Sequence, residues 1–144
     1  MQQQKANSFE IIARDARVEM KCWGETLQEL FLNAVKGMAY YIKPSAFAQV
    51  ERRKKIAEKI FVEAVDINSL LIEFLSEVIA RADIRSVVFT EAVFERFGEN
   101  FLEGEITGIE AGEYDKTVGG VSYEDVEIKK DPKTERFEAV VSFL

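Results

Sequence analysis

The chain has 144 residues, a formal net charge of −7 and no histidine, and this combination excludes several classes of catalyst. Without an imidazole, a Ser-His-Asp triad, a Cys-His pair and a histidine-ligated zinc site cannot be built. The length suits one domain, and no apolar run approaches the ~20 residues of a membrane-spanning helix. Any site must therefore use carboxylates, lysines, hydroxyls or backbone groups, and oxygen ligands of this kind suit hard divalent cations.

The cysteine content indicates the cellular compartment of the protein, and its charge limits the kinds of partner that it can bind. Cys22 is the only cysteine, so no internal disulfide can form, and we expect a reducing, cytoplasmic environment. The acidic balance gives no general attraction to nucleic acid, because affinity for the phosphate backbone comes from clustered Lys and Arg. The one dense basic run is Arg52-Arg53-Lys54-Lys55. It is interpreted first as charge that protects a strand edge from pairing, with contact to RNA as the alternative.

The N-terminal part predicts an extended tail followed by two strands. Residues 1–8 are polar, and we expect them to be disordered or extended, ahead of a single domain over 9–144. A short first strand is predicted over 9–12. Alternating apolar residues then predict a strand over 18–23, with Cys22 on its buried face as a structural thiol.

A capped amphipathic helix follows the second strand. Thr26 and Glu29 have the spacing of a capping box, and apolar residues recur at helical spacing behind them. The helix is predicted to run to Tyr41 or Ile42, because the residue before Pro44 avoids the helical region. Residues 43–50 are expected to form a connection.

The sequence after residue 50 predicts a strand, a second helix and then two further strands. Imperfect alternation over 53–65 predicts a strand with a bulge or an edge position. Asp66 has the position of an N-cap, and a broad apolar stripe follows it to about Ala82. Two further strands are predicted over 87–97 and 101–110.

The last part of the chain predicts two more strands. The first is a long strand over 118–130, and the paired glycines inside it mark a bulge or a close backbone approach. A turn at 131–134 leads into alternating residues over 137–143. The order of elements predicts a two-layer α+β sandwich, with a largely antiparallel (mixed) sheet and two helices on one face.

Three stretches resemble the archease family. They are the strand-glycine-helix opening from Val18 to Ala34, the helix from Asp66 to Glu77, and the pair Val121-Ser122-Tyr123 and Val126-Glu127-Ile128. The resemblance implies an archease fold and an accessory protein that assists the RNA ligase of tRNA splicing, by promoting its activation with guanylate. It implies a protein partner and no independent enzyme activity. The alternative is an archease-fold protein-binding or chaperone-like module without a metal site.

The resemblance also implies positions for a divalent metal site. The family's opening motif, His-x-Ala-Asp, corresponds to residues 14–17, so Arg17 stands where a metal-binding aspartate is expected. Phe143 stands at the position of a second aspartate. Gly119 stands at the position of a lysine, and Glu124 at that of a histidine.

Neighbouring residues could replace these ligands. Asp15 lies two residues before Arg17, so a regular strand would point both side chains to one face, and Asp15 with Glu124 forms the tentative ligand pair. Glu73 and Lys116 are further candidates. The alternative is that Asp15 pairs with basic neighbours at the surface. We expect no tightly held cofactor, although calcium, manganese or magnesium is compatible with the resemblance.

Overall fold

The computed structural model describes residues 8–14 and 16–144, and its strands form two antiparallel sheets. The strands are β1 (Phe9–Arg14), β2 (Arg17–Gly24), β3 (Lys55–Glu63), β4 (Val87–Phe97), β5 (Phe101–Glu110), β6 (Lys129–Lys130) and β7 (Phe137–Phe143). The helices are α1 (Leu27–Ile42), α2 (Ala46–Gln49) and α3 (Ile67–Arg85). One sheet has the order β1-β2-β7-β6 and the other β3-β5-β4. The predicted α+β class is confirmed, but the strands divide between two sheets rather than forming one.

Helix α1 joins the two sheets, because it packs against β1, β2 and β7 on one side and β4 on the other. Its Phe31 is fully buried. The Phe31 ring lies 5.9 Å from that of Phe74 in α3 and 5.0 Å from that of Phe97 in β4, measured between centroids. The apolar faces predicted for the two long helices are buried in the core, and these members are at most 2% exposed: Leu30, Phe31, Leu71, Phe74, Leu75 and Val78.

The glycine inside α1 allows close packing of the helix on the sheet. A Cβ atom at Gly37 would lie 2.5 Å from Met20 Sδ and 2.9 Å from Phe9 Cγ. Helix α1 therefore lies closer to β1 and β2 at this point than any side chain would allow.

Both predicted helix caps are present. The backbone N–H of Glu29 donates to Thr26 Oγ1 at 3.0 Å, and the N–H of Ser69 donates to Asp66 Oδ1 at 2.8 Å. This bond lowers the pKa of Asp66, because it favours the carboxylate. A further bond ties α1 to the preceding strand, from Asn33 Nδ2 to the Trp23 carbonyl at 2.8 Å.

Thr26→Ala is expected to lower the free energy of unfolding by about 0.5–2 kcal/mol, because an amide of the first helical turn loses its acceptor. Urea denaturation followed by circular dichroism measures the change. Thr26→Ser keeps the hydroxyl and serves as the control. Equal stability of the alanine and serine variants would contradict the role of Thr26.

The predicted long strand over 118–130 is wrong for most of its length. Only β6 and an isolated bridge at Val121 pair as strand. The reason lies in the partners of the backbone: Glu124 N–H donates to Ser122 Oγ at 3.0 Å, and Ile128 N–H donates to Asn68 Oδ1 at 2.8 Å. Asp125 adopts a left-handed conformation with φ 59°, which breaks a strand.

Smaller boundary differences have local causes. Helix α2 lies within the predicted connection 43–50. Helix α3 continues past Ala82 to Arg85, and Ser86 ends it in the left-handed conformation, with φ 54°. Strand β3 lies at a sheet edge, which confirms one of the two predicted explanations of its irregular pattern.

Among the described residues, no helix combines the length and apolarity that crossing a bilayer requires.

Cys22 is fully buried, as expected for a structural thiol, and burial raises the pKa of this thiol from 9.0 to about 12. The unfolded chain therefore loses this proton at lower pH than the folded chain. The Cys22 contribution to stability is complete below pH 9 and is lost as the pH rises towards 12.

Cys22→Ala is accordingly expected to reduce the loss of stability at alkaline pH. The measurement is urea denaturation of wild type and variant at about pH 8 and about pH 10. The wild type should lose more free energy of unfolding between the two than the variant, which has no thiol to ionise. Equal losses would contradict the raised pKa.

Candidate functional site

The start of β2, the end of β7 and residues 119–122 meet at one end of the four-stranded sheet. Phe143 pairs with Val18 on one side and bridges to Val121 on the other. The Gly119 N–H donates to the Leu144 carbonyl at 2.8 Å, so the paired glycines mark a close backbone approach. We call this region the strand-end site; it comprises Arg17, Gly119, Gly120, Val121, Ser122, Ser142, Phe143 and Leu144.

Arg17 is anchored within the strand-end site by a hydroxyl. Its Nη2 atom donates to Ser142 Oγ at 3.0 Å, and the Arg17 side chain is otherwise exposed. No described carboxylate forms an ion pair with it. Asp15, which was predicted as a ligand or as a partner of nearby arginines, lies outside the described residues. Its role therefore stays a prediction.

The ring of Tyr41 links Lys116 to the strand-end site, because it lies near both Lys116 and Phe143. The Phe143 ring lies 5.3 Å from the ring of Tyr41, and the Lys116 ammonium lies 5.4 Å from the centroid of the same tyrosine. Backbone bonds fix this segment, since the N–H groups of Asp115 and Lys116 donate to the Ile42 carbonyl at 2.9 and 3.2 Å. A cation is thus held on one face of Tyr41, beside the end of α1.

The two glutamates proposed from the sequence are linked to Tyr123 in different ways, Glu73 by a hydrogen bond and Glu124 as the next residue in the chain. The Tyr123 hydroxyl donates to the Glu73 carboxylate. This bond raises the pKa of Tyr123, because it favours the protonated phenol. Glu124 is exposed, and its backbone N–H is bonded to Ser122. Sequence reasoning assigned Tyr123 no role, although it belongs to one of the three stretches that carried the resemblance.

The described donors of the strand-end site do not fit a hard cation. Magnesium prefers six oxygen ligands and calcium six to eight. Arg17 and Phe143, which occupy the positions of the expected acidic ligands, supply none, and a guanidinium repels a cation. Among residues 8–14 and 16–144, no three acidic, histidine or cysteine side chains are grouped so that they could hold a metal ion.

Almost all of the strand-end site lies within a region of the chain that matches a known protein family. A model of the archease protein family matches residues 9–142. The chain belongs to the archease family. The match covers all the described helices and strands except the last residue of β7.

Individual archeases are similar to this chain over most of its length. The archease of Methanosarcina barkeri is 27% identical over 138 residues, which covers 88% of this chain and 89% of the relative. The archease of Methanosarcina mazei is 24% identical over 134 residues, with the same two coverages.

Two solved structures have the same fold. The solution structure of Methanobacterium thermoautotrophicum protein 1598 superposes with a TM-score of 0.68 at 22% identity, covering 95% of this chain and 98% of that protein. A crystal structure from Thermotoga maritima, described as an archease and possible chaperone, gives a TM-score of 0.59 at 11% identity, covering 93% and 94%. At these identities the structures establish the archease fold and no more.

Proposed function

We propose that this archease-family protein is a non-catalytic accessory factor that binds an RNA ligase of tRNA splicing and assists its activation with guanylate. The observation that carries the proposal is the strand-end site. Three of its positions, Arg17, Gly119 and Phe143, are those at which the family resemblance expects functional side chains, and backbone pairing brings them together. Family membership supports an accessory role, and the absence of histidine from the chain removes the usual general base.

The strand-end site and its surroundings suit contact with a protein. Tyr123 is 57% exposed and Leu144 is 71% exposed, and the Arg17 side chain, which is bonded to Ser142, is also exposed. Tyrosine and arginine are enriched in protein interfaces and among the residues that dominate their binding energy. We therefore propose that the contact with the ligase forms here and depends on side chains rather than on a tightly bound cation.

The test is the rate at which an RNA ligase of tRNA splicing, from the same organism, becomes guanylated with and without this protein. We expect a faster reaction with the wild-type protein. Double replacement R17A/Y123A should remove most of the increase. Arg96→Ala is the matched control, because Arg96 is exposed on β4 and bonded to Glu103, in the other sheet. An unchanged rate with the wild-type protein would contradict the proposal.

The second candidate is a chaperone-like or protein-binding module on the same fold. Arginine and phenylalanine at the expected ligand positions favour it, because neither side chain supplies an oxygen donor to a metal. Arg17 is exposed and can contact a protein, whereas Phe143 is buried. The two functions differ in one measurement. A module of this kind would bind the ligase, or protect it from aggregation, without changing its rate of guanylation.

A further inference from the structure

The basic run forms one wall of a cavity at the start of β3. The cavity has a volume of about 340 Å³ and is lined by four cationic side chains, Arg53, Lys54, Lys55 and Arg85, together with Glu110 and two apolar residues. Arg85 comes from the last turn of α3. The fold therefore brings a distant arginine to a basic run that is local in sequence. We call this cavity the β3 basic pocket.

Protection of a strand edge explains only some of the charged residues of the basic run 52–55. Strand β3 begins at Lys55, and the exposed Lys55 and Lys59 are enough to discourage pairing at this edge. Arg53 and Lys54 precede the strand, where there is no ladder to protect.

The β3 basic pocket carries an excess of positive charge in an acidic protein. Arg52, Arg53, Lys54 and Lys55 are all exposed. None of them forms an ion pair with a described residue. In the pocket lining, four cations face one carboxylate, although the whole chain has a net charge of −7. Such a concentration attracts anions locally, over about one Debye length.

Two guanidinium groups of the pocket are held in place by the protein. Arg85 Nη1 donates to Glu58 Oε2 at 2.8 Å, and the other oxygen of Glu58 accepts from Arg81 Nη1 at 3.2 Å. Arg53 Nη1 donates to the Glu110 carbonyl at 3.4 Å. A guanidinium has five N–H donors, so each arginine keeps donors that are not engaged in these bonds.

We propose that the β3 basic pocket binds phosphate groups of an RNA backbone. Planar guanidinium groups suit the oxygens of a phosphate, and the adjoining lysines would contact neighbouring phosphates along the chain. The lining contains no aromatic ring, so bases have no surface on which to stack. Binding should therefore be independent of sequence, strongly dependent on salt, and weak, with a dissociation constant of about 10⁻⁴–10⁻⁶ M. The proposal concerns different residues from the strand-end site and stands independently of the ligase.

The test is fluorescence anisotropy of a labelled single-stranded RNA, titrated with the full chain at low and high salt. The pocket variant is R53Q/K54Q/K55Q. The matched control is K129Q/K130Q/K133Q, which removes the same charge from exposed lysines in and after β6. Circular dichroism checks that both variants fold. A labelled polyglutamate peptide of equal charge is titrated in parallel.

The wild type should bind RNA in a salt-dependent way. The pocket variant should bind about tenfold more weakly, and the slope of log affinity against log salt should fall by about 2, as for three lost phosphate contacts. The control should stay within about twofold of the wild type. Three results would overturn the proposal: no binding by the wild type, equal losses in both variants, or polyglutamate binding as tight as RNA binding.

Discussion

Phe31→Ala is expected to lower the free energy of unfolding by about 3–5 kcal/mol, the usual cost of removing a buried phenylalanine ring. Phe31 is fully buried and contacts three rings from two other elements: Phe74 in α3, and Phe94 and Phe97 in β4. The rings therefore come both from a helix and from the sheet on which it packs. The space left by the ring therefore cannot close without moving α1, α3 or β4.

Phe61→Ala is the matched control, because the same ring is removed from β3 at a position that is 53% exposed. Its cost should stay below about 1 kcal/mol, the range of strand propensity. Chemical denaturation of both variants at one pH gives the comparison. If the two substitutions cost the same free energy, the Phe31 ring does not stabilise the packing of α1 against α3 and β4.

Leu75→Ala is expected to cost about 2–5 kcal/mol through lost burial and the cavity that remains. Leu75 is fully buried and belongs to the buried face of α3, the helix that packs against β3, β4 and β5. Alanine has a higher helix propensity than leucine, so the cost reflects packing rather than helix formation.

Ile84→Ala in the same helix is the control, because this side chain is 82% exposed. Surface substitutions of this kind usually change stability by less than about 0.5 kcal/mol. The measurement is the midpoint of urea denaturation for both variants. An unchanged midpoint for Leu75→Ala would contradict the assignment of α3 to the core.

Local patterns were sufficient to predict most of the secondary structure. The capping residues Thr26 and Asp66 act on amides within the same helical turn, so the sequence contains the whole interaction. The same is true of the turn at 131–134, where Asp131 accepts from the N–H groups of Lys133 and Thr134. Helical and strand periodicities are equally local.

The failures involve partners that are distant in sequence. Residues 118–130 alternate like a strand, but Asn68 in α3 satisfies the Ile128 amide, and no local pattern reveals this partner. The division into two sheets likewise depends on β2 pairing with β7, which comes more than a hundred residues later. Arg85 completes the β3 basic pocket from another element, so the sequence showed only part of that cluster.

The candidate site was accessible to sequence reasoning only through the family resemblance. Its positions at Arg17, Gly119 and Phe143 are widely separated in the chain, and backbone pairing brings them to one end of a sheet. Composition and periodicity contain no signal for that meeting. The bond between Tyr123 and Glu73 was missed because it joins an irregular segment to a helix.

We expect side chains of the strand-end site, rather than a tightly held cation, to support the role of this archease-family protein. Calorimetric titration with calcium, manganese and magnesium measures whether a cation binds. We expect no binding tighter than about 1 mM, the weak limit of calcium sites built from protein oxygens, because Arg17 and Phe143 supply no oxygen ligands. Binding below about 1 mM that is abolished by Asp15→Asn would contradict this expectation.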